Sequence, residues 1–296
     1  MINHFTKILL LTLFIMVNDT QKLPAQKKKE VCRECLTVLK DALKNGETIF
    51  IKVHAAEAMI FNNYYTGIGS AFNKLIKEQA NLIVASRVLA RVYKNEKTKN
   101  QTYLNTLLYQ LKNADSTRGK LIALESLAKI GFKKHVPEIK SYADTGTNGF
   151  RAMARWVLSN SNKDADENRL AMLLASNDPT EFRGAAYAFR FKKKITPETL
   201  QMLTACAKRL KKDDAARVYV FSSWYVHAMD GNEKKVAKEN LLTYMNGAVN
   251  ERYEVAESFS MCGSVKDFPL LKKLMADENM DVRVAAAKAL WSIKRK

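Results

Sequence analysis

The stretch from Asp281 to Leu290, DVRVAAAKAL, carries the pattern that decides the fold of this 296-residue chain. With Arg283 as position zero, small residues stand at plus three (Ala286) and plus six (Ala289), and a large apolar residue follows at plus seven. These positions share one stripe of an α-helix, where small side chains let a neighbouring helix approach closely. The stretch therefore predicts a helix packed tightly against other helices.

The same frame recurs along the chain. It fits the segments that begin at Lys52, Lys120, Arg151, Arg217 and Arg252, and it fits those at Leu82 and Arg183 less cleanly. Successive anchors lie roughly 30 to 38 residues apart, which is the length of two short helices and their turns. The chain has only 11 Gly and 5 Pro and no period-two strand pattern. It is therefore predicted to be all-α, with about eight helical pairs over residues 31–296.

These repeats resemble the HEAT family, most closely where Asp281 and Val282 introduce Arg283. The resemblance covers the whole chain after its N-terminal segment and implies a right-handed α-solenoid. It also implies that the second helix of each pair lines the concave surface. A single pair leaves its apolar face uncovered, and stacking on the next pair buries it.

Position plus five of the frame points away from the small-residue stripe and holds charged or aromatic residues in several units. One interpretation pairs its glutamates with the basic anchors, at about 0.3 to 0.5 kcal/mol for each exposed pair. The other makes them a binding strip on the concave face, extended by residues one helical turn away. The candidate partner-binding residues are Glu57, Arg87, Arg91, Glu125, Arg155, Trp156, Tyr187, Arg190 and Glu257. Their mixed charge suits a protein or peptide better than a uniform polyanion.

Residues 1–25 have the features of a signal peptide. A weakly basic start precedes the apolar run from Ile8 to Val17, which is too short to span a bilayer, and a polar stretch follows it. An uncleaved N-terminal anchor is the alternative. Residues 26–30 are predicted to be a basic linker, and the mature chain has no transmembrane pattern. The predicted location is outside the cytoplasm, periplasmic or extracellular, in a bacterial-type envelope.

Cysteines, metal ligands and catalytic motifs add little. In an oxidising compartment, Cys32 and Cys35 could form a local disulfide. His54 and Glu57 are three residues apart and could share a metal, but no second pair accompanies them. The deoxyhypusine hydroxylases resemble this architecture but carry repeated His-Glu pairs that are missing here. No catalytic residue, cofactor or metal is predicted, and the chain is expected to be a non-enzymatic binding or scaffold protein.

The charge is the remaining clue to partners. The 49 Lys and Arg residues exceed the 30 Asp and Glu residues by 19, which favours anionic partners such as an acidic protein or an envelope surface. The export signal argues against nucleic acid. The alternative is a cytoplasmic nucleic-acid-binding protein, because the basic alkylpurine DNA glycosylases resemble this architecture. A metal-dependent enzyme of HEAT type is a further alternative.

Overall fold

The computed structural model describes residues 25–78, 81–134, 136–147, 149–161, 164–211 and 214–295, and all regular structure in them is helical. The helices are α1 (Ala25–Asn45), α2 (Ile49–Phe61), α3 (Ile68–Lys77), α4 (Leu82–Val92), α5 (Lys97–Asn113), α6 (Thr117–Lys129), α7 (Pro137–Thr145), α8 (Phe150–Ser159), α9 (Asp164–Met172), α10 (Pro179–Arg190), α11 (Pro197–Arg209), α12 (Arg217–His227), α13 (Gly231–Leu242), α14 (Val249–Cys262), α15 (Phe268–Met275) and α16 (Met280–Arg295). Two 3₁₀ turns lie at Leu173–Ala175 and Val265–Asp267. The predicted all-α fold with eight helical pairs is confirmed.

Short polar side chains fix where many of these helices begin. The hydroxyls of Thr48, Ser116 and Thr196 and the carboxylates of Asp178 and Asp230 accept hydrogen bonds from backbone N–H groups of the first turn. These bonds satisfy donors that have no partner inside the helix. Proline occupies the first position of α7, α10 and α11, where no backbone N–H is needed.

The even-numbered helices form an inner layer and the odd-numbered helices an outer layer. Consecutive even-numbered helices pack side by side from α2 to α16, and each odd-numbered helix packs against one or both of its even-numbered neighbours. The small residues of the repeat frame lie at the contacts between inner helices and are almost fully buried. They are Ala55, Ala58, Ala123, Ser126, Ala154, Val157, Val220, Ser223, Val255, Ser258, Ala286 and Ala289.

The unit anchored at Arg183 fits better when the frame is moved back by one residue, to Phe182. Ala185, Ala188 and Phe189 then take positions plus three, plus six and plus seven, and all three are fully buried. Tyr187 moves to plus five, in line with the charged and aromatic residues of the other units.

The inner layer closes on itself. Helix α16 packs against α14 on one side and against α2 and α1 on the other. At this seam the Lys294 Nζ lies 2.8 Å from the Cys32 Sγ, and the rings of Tyr64 and Trp291 are 6.1 Å apart. Eight units that close a ring must each turn by about 45°, whereas a stack of repeats can also stay open. The solenoid is therefore a ring of eight inner helices.

Three predictions concern the N-terminal part of the chain: a signal peptide, a linker and a disulfide. The predicted signal peptide lies outside the described residues except for Ala25, the first residue of α1. Residues 26–30, predicted to be a linker, belong to the first turns of α1. The possible disulfide between Cys32 and Cys35 stays a prediction: in this structure both are free thiols, with Cys35 buried in the core and the Cys32 Sγ next to Lys294.

Burial and the neighbouring Cys32 raise the pKa of the Cys35 thiol to about 12. Within the described parts of the chain, no helix combines the length and the apolar character needed to cross a bilayer.

Candidate functional site

The inner helices are parallel and all run in the same direction from one face of the ring to the other. Their first and last residues therefore define two opposite faces. Residues at the starts of inner helices, such as Gly149, Thr180 and Asn250, line a cavity on one face. Residues at the ends of inner helices, such as Arg91 and Ser159, line a cavity on the other. Between these two faces, charged side chains from several helices meet in the middle of the ring.

One cluster of charges is centred on Glu57 and Glu125. Glu57 Oε1 lies 3.1 Å from Arg87 Nε and 3.0 Å from Arg91 Nη1. Glu125 Oε1 lies 2.8 Å from Lys129 Nζ and 3.8 Å from Arg87 Nη1. Arg87 is only 1% exposed. It is therefore a buried cation shared by the two carboxylates, one from α2 and one from α6.

A second cluster is centred on Glu257 of α14. Its Oε2 accepts hydrogen bonds from Lys288 Nζ at 2.6 Å and from Arg190 Nη1 at 3.1 Å. Arg190 also places Nε 2.7 Å from Glu254 Oε1, and the Tyr253 hydroxyl donates to Glu257 Oε1 at 3.3 Å. Arg190 is 2% exposed and Glu257 is 5% exposed, so this network is buried as well.

Several contacts join helices that are not neighbours in the ring. The Tyr187 hydroxyl of α10 donates to Glu125 of α6 at 2.9 Å, and Arg190 of α10 reaches Glu257 of α14. The ring centroids of His54 and Tyr253 are 5.1 Å apart, although α16 lies between their helices. Side chains therefore meet across the middle of the ring, and the concave surface of the solenoid is an interior.

The electrostatics of this interior keep three glutamates ionised. Burial alone would raise their pKa values, but the cations around them have the larger combined effect. Arg87, Lys129 and Arg91 hold the pKa of Glu57 far below its ordinary value. Lys129 and Arg87 lower the pKa of Glu125 to about 2, and Lys288 and Arg190 lower that of Glu257 to about 2.

Glu254 differs from the other three glutamates. Burial raises its pKa despite the attraction of Arg190, and the charge of the nearby Glu257 adds to this effect. The cluster around Arg190 therefore includes one carboxylate that is costly to ionise.

The predicted pairing of the plus-five glutamates with the basic anchors is wrong. The partners are Arg87, Arg91, Lys129, Arg190 and Lys288, which lie on other helices or further along the same helix. The anchors face elsewhere: Arg252, for example, makes a two-pronged contact with Asp277 at 2.8 and 3.0 Å. Arg252 thus holds the turn between α15 and α16, whereas the glutamates at position plus five point into the ring.

A cavity of about 590 Å³ lies at the face formed by the ends of the inner helices. Aromatic groups form part of its wall, with Trp156 stacked on Phe191 at 5.2 Å between ring centroids. Among the described residues, its basic lining residues are Arg91, Lys129, Lys133, Arg190, Lys192, Lys193, Lys194 and Lys288, whereas its lining carboxylates are Glu57 and Glu257. We call this site the basic cavity.

Three of these lysines carry the excess charge of the basic cavity. Lys129 and Lys192 pair with Glu125 and Glu167, and the deeper cations pair with the central glutamates. Lys133, Lys193 and Lys194 are exposed and have no carboxylate within 4.0 Å in the described residues. The negative ends of the helix dipoles favour cations at this face. Three uncompensated lysines at one mouth still give it a positive field.

The opposite face has a smaller cavity of about 350 Å³. It is lined by the tyrosines Tyr187, Tyr219 and Tyr253, by Glu125 and Glu254, and by Arg183. His54 and Tyr253 line both cavities, so this pair of rings lies between them.

The structure brings together eight of the nine candidate residues. Glu57, Arg87, Arg91, Glu125, Trp156, Tyr187, Arg190 and Glu257 all lie in the central network or in the wall of the basic cavity. Arg155 is separate: it pairs with Asp144 at 2.9 Å and lines neither cavity.

Sequence reasoning missed Lys288, Lys129, Tyr253 and Glu254 as parts of this network. Lys288 stands at plus five of the last unit, and Lys129 occupies the position that corresponds to Arg91. The repeat frame could therefore have identified these two, whereas nothing in the frame marks Tyr253 or Glu254.

The sequence offered a metal shared by His54 and Glu57 as an alternative, but in the structure these two side chains contact other residues. His54 Nδ1 lies 2.8 Å from Asp281 Oδ1, and Glu57 is held by Arg87 and Arg91. The described residues contain no group of three or more His, Cys, Asp and Glu side chains arranged to hold a metal ion.

Comparisons with known proteins return likenesses of fold only. No known protein-family profile matches the chain, and no curated protein matches it. Among solved structures, one engineered protein is similar over 88% of this chain and 96% of its own, at 16% identity and a TM-score of 0.32. A designed armadillo repeat protein is similar over 87% and 99%, at 14% identity and a TM-score of 0.22. A second engineered protein covers 88% and 99%, at 17% identity and a TM-score of 0.20.

Proposed function

We propose that the chain is a non-enzymatic binding or scaffold protein that holds an acidic segment of a protein partner in the basic cavity. The observation that carries this proposal is that eight cations and two carboxylates are among the described residues of the cavity wall, with three lysines left uncompensated. The volume of about 590 Å³ is within the range of ligand sites, about 300 to 1,000 Å³.

In an open solenoid the ligand would lie along the concave groove, whereas here it would lie in the basic cavity at one face of the ring. Arg87, Arg190 and Glu257 are buried, so a peptide cannot lie along them as it would along an open concave groove. Instead, their ion pairs form a fixed floor beneath the basic cavity. A floor that is ordered before binding reduces the conformational entropy lost when the ligand binds.

The test uses peptides of opposite charge. The purified chain is titrated with hexaglutamate, hexalysine and hexaglutamine peptides by isothermal calorimetry at two salt concentrations. We expect binding of hexaglutamate alone, and weaker binding at high salt because ions screen the exposed lysines. Equal binding of all three peptides, or none of hexaglutamate, would contradict the proposal.

A charge-removing variant locates the site. Replacing Lys133, Lys193 and Lys194 together by Gln should weaken hexaglutamate binding by at least about tenfold, or about 1.4 kcal/mol. The matched control replaces Lys97, Lys112 and Lys140, which are exposed on outer helices, and should retain the affinity of the parent. A single-stranded oligonucleotide that binds more tightly than hexaglutamate would favour the nucleic-acid alternative instead.

The repeat type and the compartment are part of the same proposal. The recurring basic anchor and small-residue stripe support repeats of the HEAT type. The apolar run from Ile8 to Val17 supports export, so the partner would be a protein of the envelope or outside it. Cell fractionation with N-terminal sequencing tests the compartment, and an intact Met1 on cytoplasmic protein would contradict it.

A further inference from the structure

A second cavity of about 760 Å³ lies beside the basic cavity. It is a groove between the segment 193–197, the outer side of α11, and the turn from α12 to α13. Its apolar lining consists of Ile195, Pro197, Leu200, Ala205, Val226, Ala228 and Met229. We call it the apolar groove.

Met229 is the clearest sign that the apolar groove is a binding surface. Its side chain is 91% exposed, the highest value among the exposed large apolar residues of the described chain. Leaving an apolar side chain in water is unfavourable, and a flexible thioether adapts to the shape of a ligand. Exposed apolar surface bordered by charges is typical of interaction sites.

The apolar groove and the basic cavity share a wall. Lys193 and Lys194 line both, and Lys208 adds a third ammonium group at the groove. Among the described residues that line the groove, Glu233 is the one carboxylate. A ligand that occupies the groove therefore passes these two lysines to reach the basic cavity, and charge complementarity requires acidic groups there.

Polar groups in the groove distinguish between kinds of ligand. Thr196, Gln201 and Thr204 lie among the apolar residues and offer hydrogen-bond donors and acceptors along the groove. A peptide backbone can use such groups, whereas an acyl chain cannot. The lining thus favours a peptide over a lipid tail.

We propose that the partner presents one extended segment with a block of acidic residues next to a block of hydrophobic residues. The acidic side chains occupy the basic cavity, and the hydrophobic side chains occupy the apolar groove. Lys193 and Lys194 contact the carboxylates where the two blocks meet. This inference rests on the proposed function and adds the class of sequence that the site recognises.

The experiment compares two peptides on the full chain by isothermal calorimetry. One is tetraglutamate, and the other is tetraglutamate joined through Gly-Ser to Leu-Phe-Leu. We expect the hydrophobic block to strengthen binding by at least about tenfold, because apolar side chains leave water. If the two affinities are equal, the inference is overturned while the proposed function stands. If neither peptide binds, both are overturned.

Variants assign the gain to the apolar groove. Met229→Glu and Ala205→Glu place charges on exposed positions of the groove and should abolish the gain while leaving tetraglutamate binding within about twofold. Lys133→Gln, which lies only in the basic cavity, should weaken both peptides by the same factor. Met172→Glu is the control, since Met172 is 65% exposed and outside the groove.

Two results would overturn the inference at this stage. One is a gain that survives Met229→Glu together with Ala205→Glu. The other is binding of phosphatidylglycerol vesicles that depends on Met229 and that the longer peptide does not displace, because the groove would then be a lipid site.

Discussion

Burial changes what a single ion pair of this protein contributes to stability. Glu257 accepts hydrogen bonds from Arg190, Lys288 and Tyr253, and its cationic partners are shielded from water. An exposed pair contributes about 0 to 1 kcal/mol, but removing one partner of a buried pair leaves an uncompensated charge at a cost of about 3 to 5 kcal/mol. We therefore expect the glutamates at position plus five to contribute more to the free energy of unfolding than the glutamates of exposed pairs do.

The replacement Glu257→Ala tests this difference. It should lower the free energy of unfolding by about 3 to 5 kcal/mol, because Lys288 loses its carboxylate and Arg190 loses one of two. Urea-induced unfolding followed by circular dichroism measures the effect. Glu239→Ala is the control: its pair with Lys235 is 3.9 Å long between side chains that are 62% and 74% exposed, so it should cost at most about 0.5 kcal/mol. Equal losses would mean that the interior is hydrated.

Stability should fall in acid over a defined pH range. Glu125 and Glu257 have folded-state pKa values of about 2 against an ordinary value of 4.5, so the unfolded chain binds protons more readily. Their stabilisation is complete above about pH 5 and is lost as the pH falls from 4.5 towards 2. The raised pKa of Glu254 opposes this trend, but the lowered pKa values of Glu57, Glu125 and Glu257 outweigh it.

Thermal melts between pH 7 and pH 3 measure this dependence. We expect a nearly constant melting temperature down to about pH 5 and a steep decrease below it. Glu257→Gln, which keeps the shape of the side chain and removes one titrating group, should flatten the decrease. An unchanged melting temperature between pH 5 and pH 3 would contradict the prediction.

At the scale of elements, close contacts between inner helices depend on small residues. Gly184 in α10 faces α8, and a Cβ atom at this position would lie 2.7 Å from the Cβ of Ala152. Gly184→Ala should therefore cost about 1 to 3 kcal/mol through overpacking, although alanine is the better helix former. Chemical denaturation measures the loss.

Gly231 provides the matched comparison for Gly184. It is the first residue of α13, and a Cβ atom there meets nothing within 4 Å. Gly231→Ala should change the free energy of unfolding by less than about 0.5 kcal/mol. If both substitutions are neutral, α8 and α10 do not pack as closely as the structure has them.

The inner helices could be predicted from the sequence because their signal is local. Ala286, Ala289 and Leu290 lie within eight residues of one another, and the spacing alone places them on one stripe. The partners of the charged residues could not be predicted in this way. Arg190 and Glu257 are 67 positions apart and on helices that are not neighbours in the ring, so their meeting depends on the curvature of the assembled ring.

At the scale of the whole molecule, the ring divides the charge into two parts. In the interior, five cations (Arg87, Arg91, Lys129, Arg190 and Lys288) face four carboxylates (Glu57, Glu125, Glu254 and Glu257). The interior therefore accounts for only one of the 19 excess positive charges of the chain. The exposed Lys133, Lys193 and Lys194 at the mouth of the basic cavity produce a positive field that attracts anionic groups through water.

Closure of the ring gives the first and last repeats the same number of neighbours as any other repeat. In an open solenoid the two ends are far apart, whereas here Lys294 near the end of α16 contacts Cys32 in α1. A circular permutant tests this geometry directly. Residue 295 is joined to residue 30 by a Gly/Ser linker of about ten residues, and the chain is opened between Ala114 and Asp115, in the turn between α5 and α6.

The permutant should fold, because the linker spans a short gap and Ser116 still caps α6. We expect its free energy of unfolding to be within about 2 kcal/mol of the parent, since loop-closure entropy changes slowly with length. Deleting residues 265–296 instead should abolish cooperative unfolding, because α14 loses α16 on one side of the gap and both α1 and α2 lose it on the other. An open solenoid predicts that the deletion variant is more stable than the permutant. In that geometry the linker could not join the distant ends without distortion, so the permutant would unfold or aggregate, whereas the deletion would remove only the last repeat.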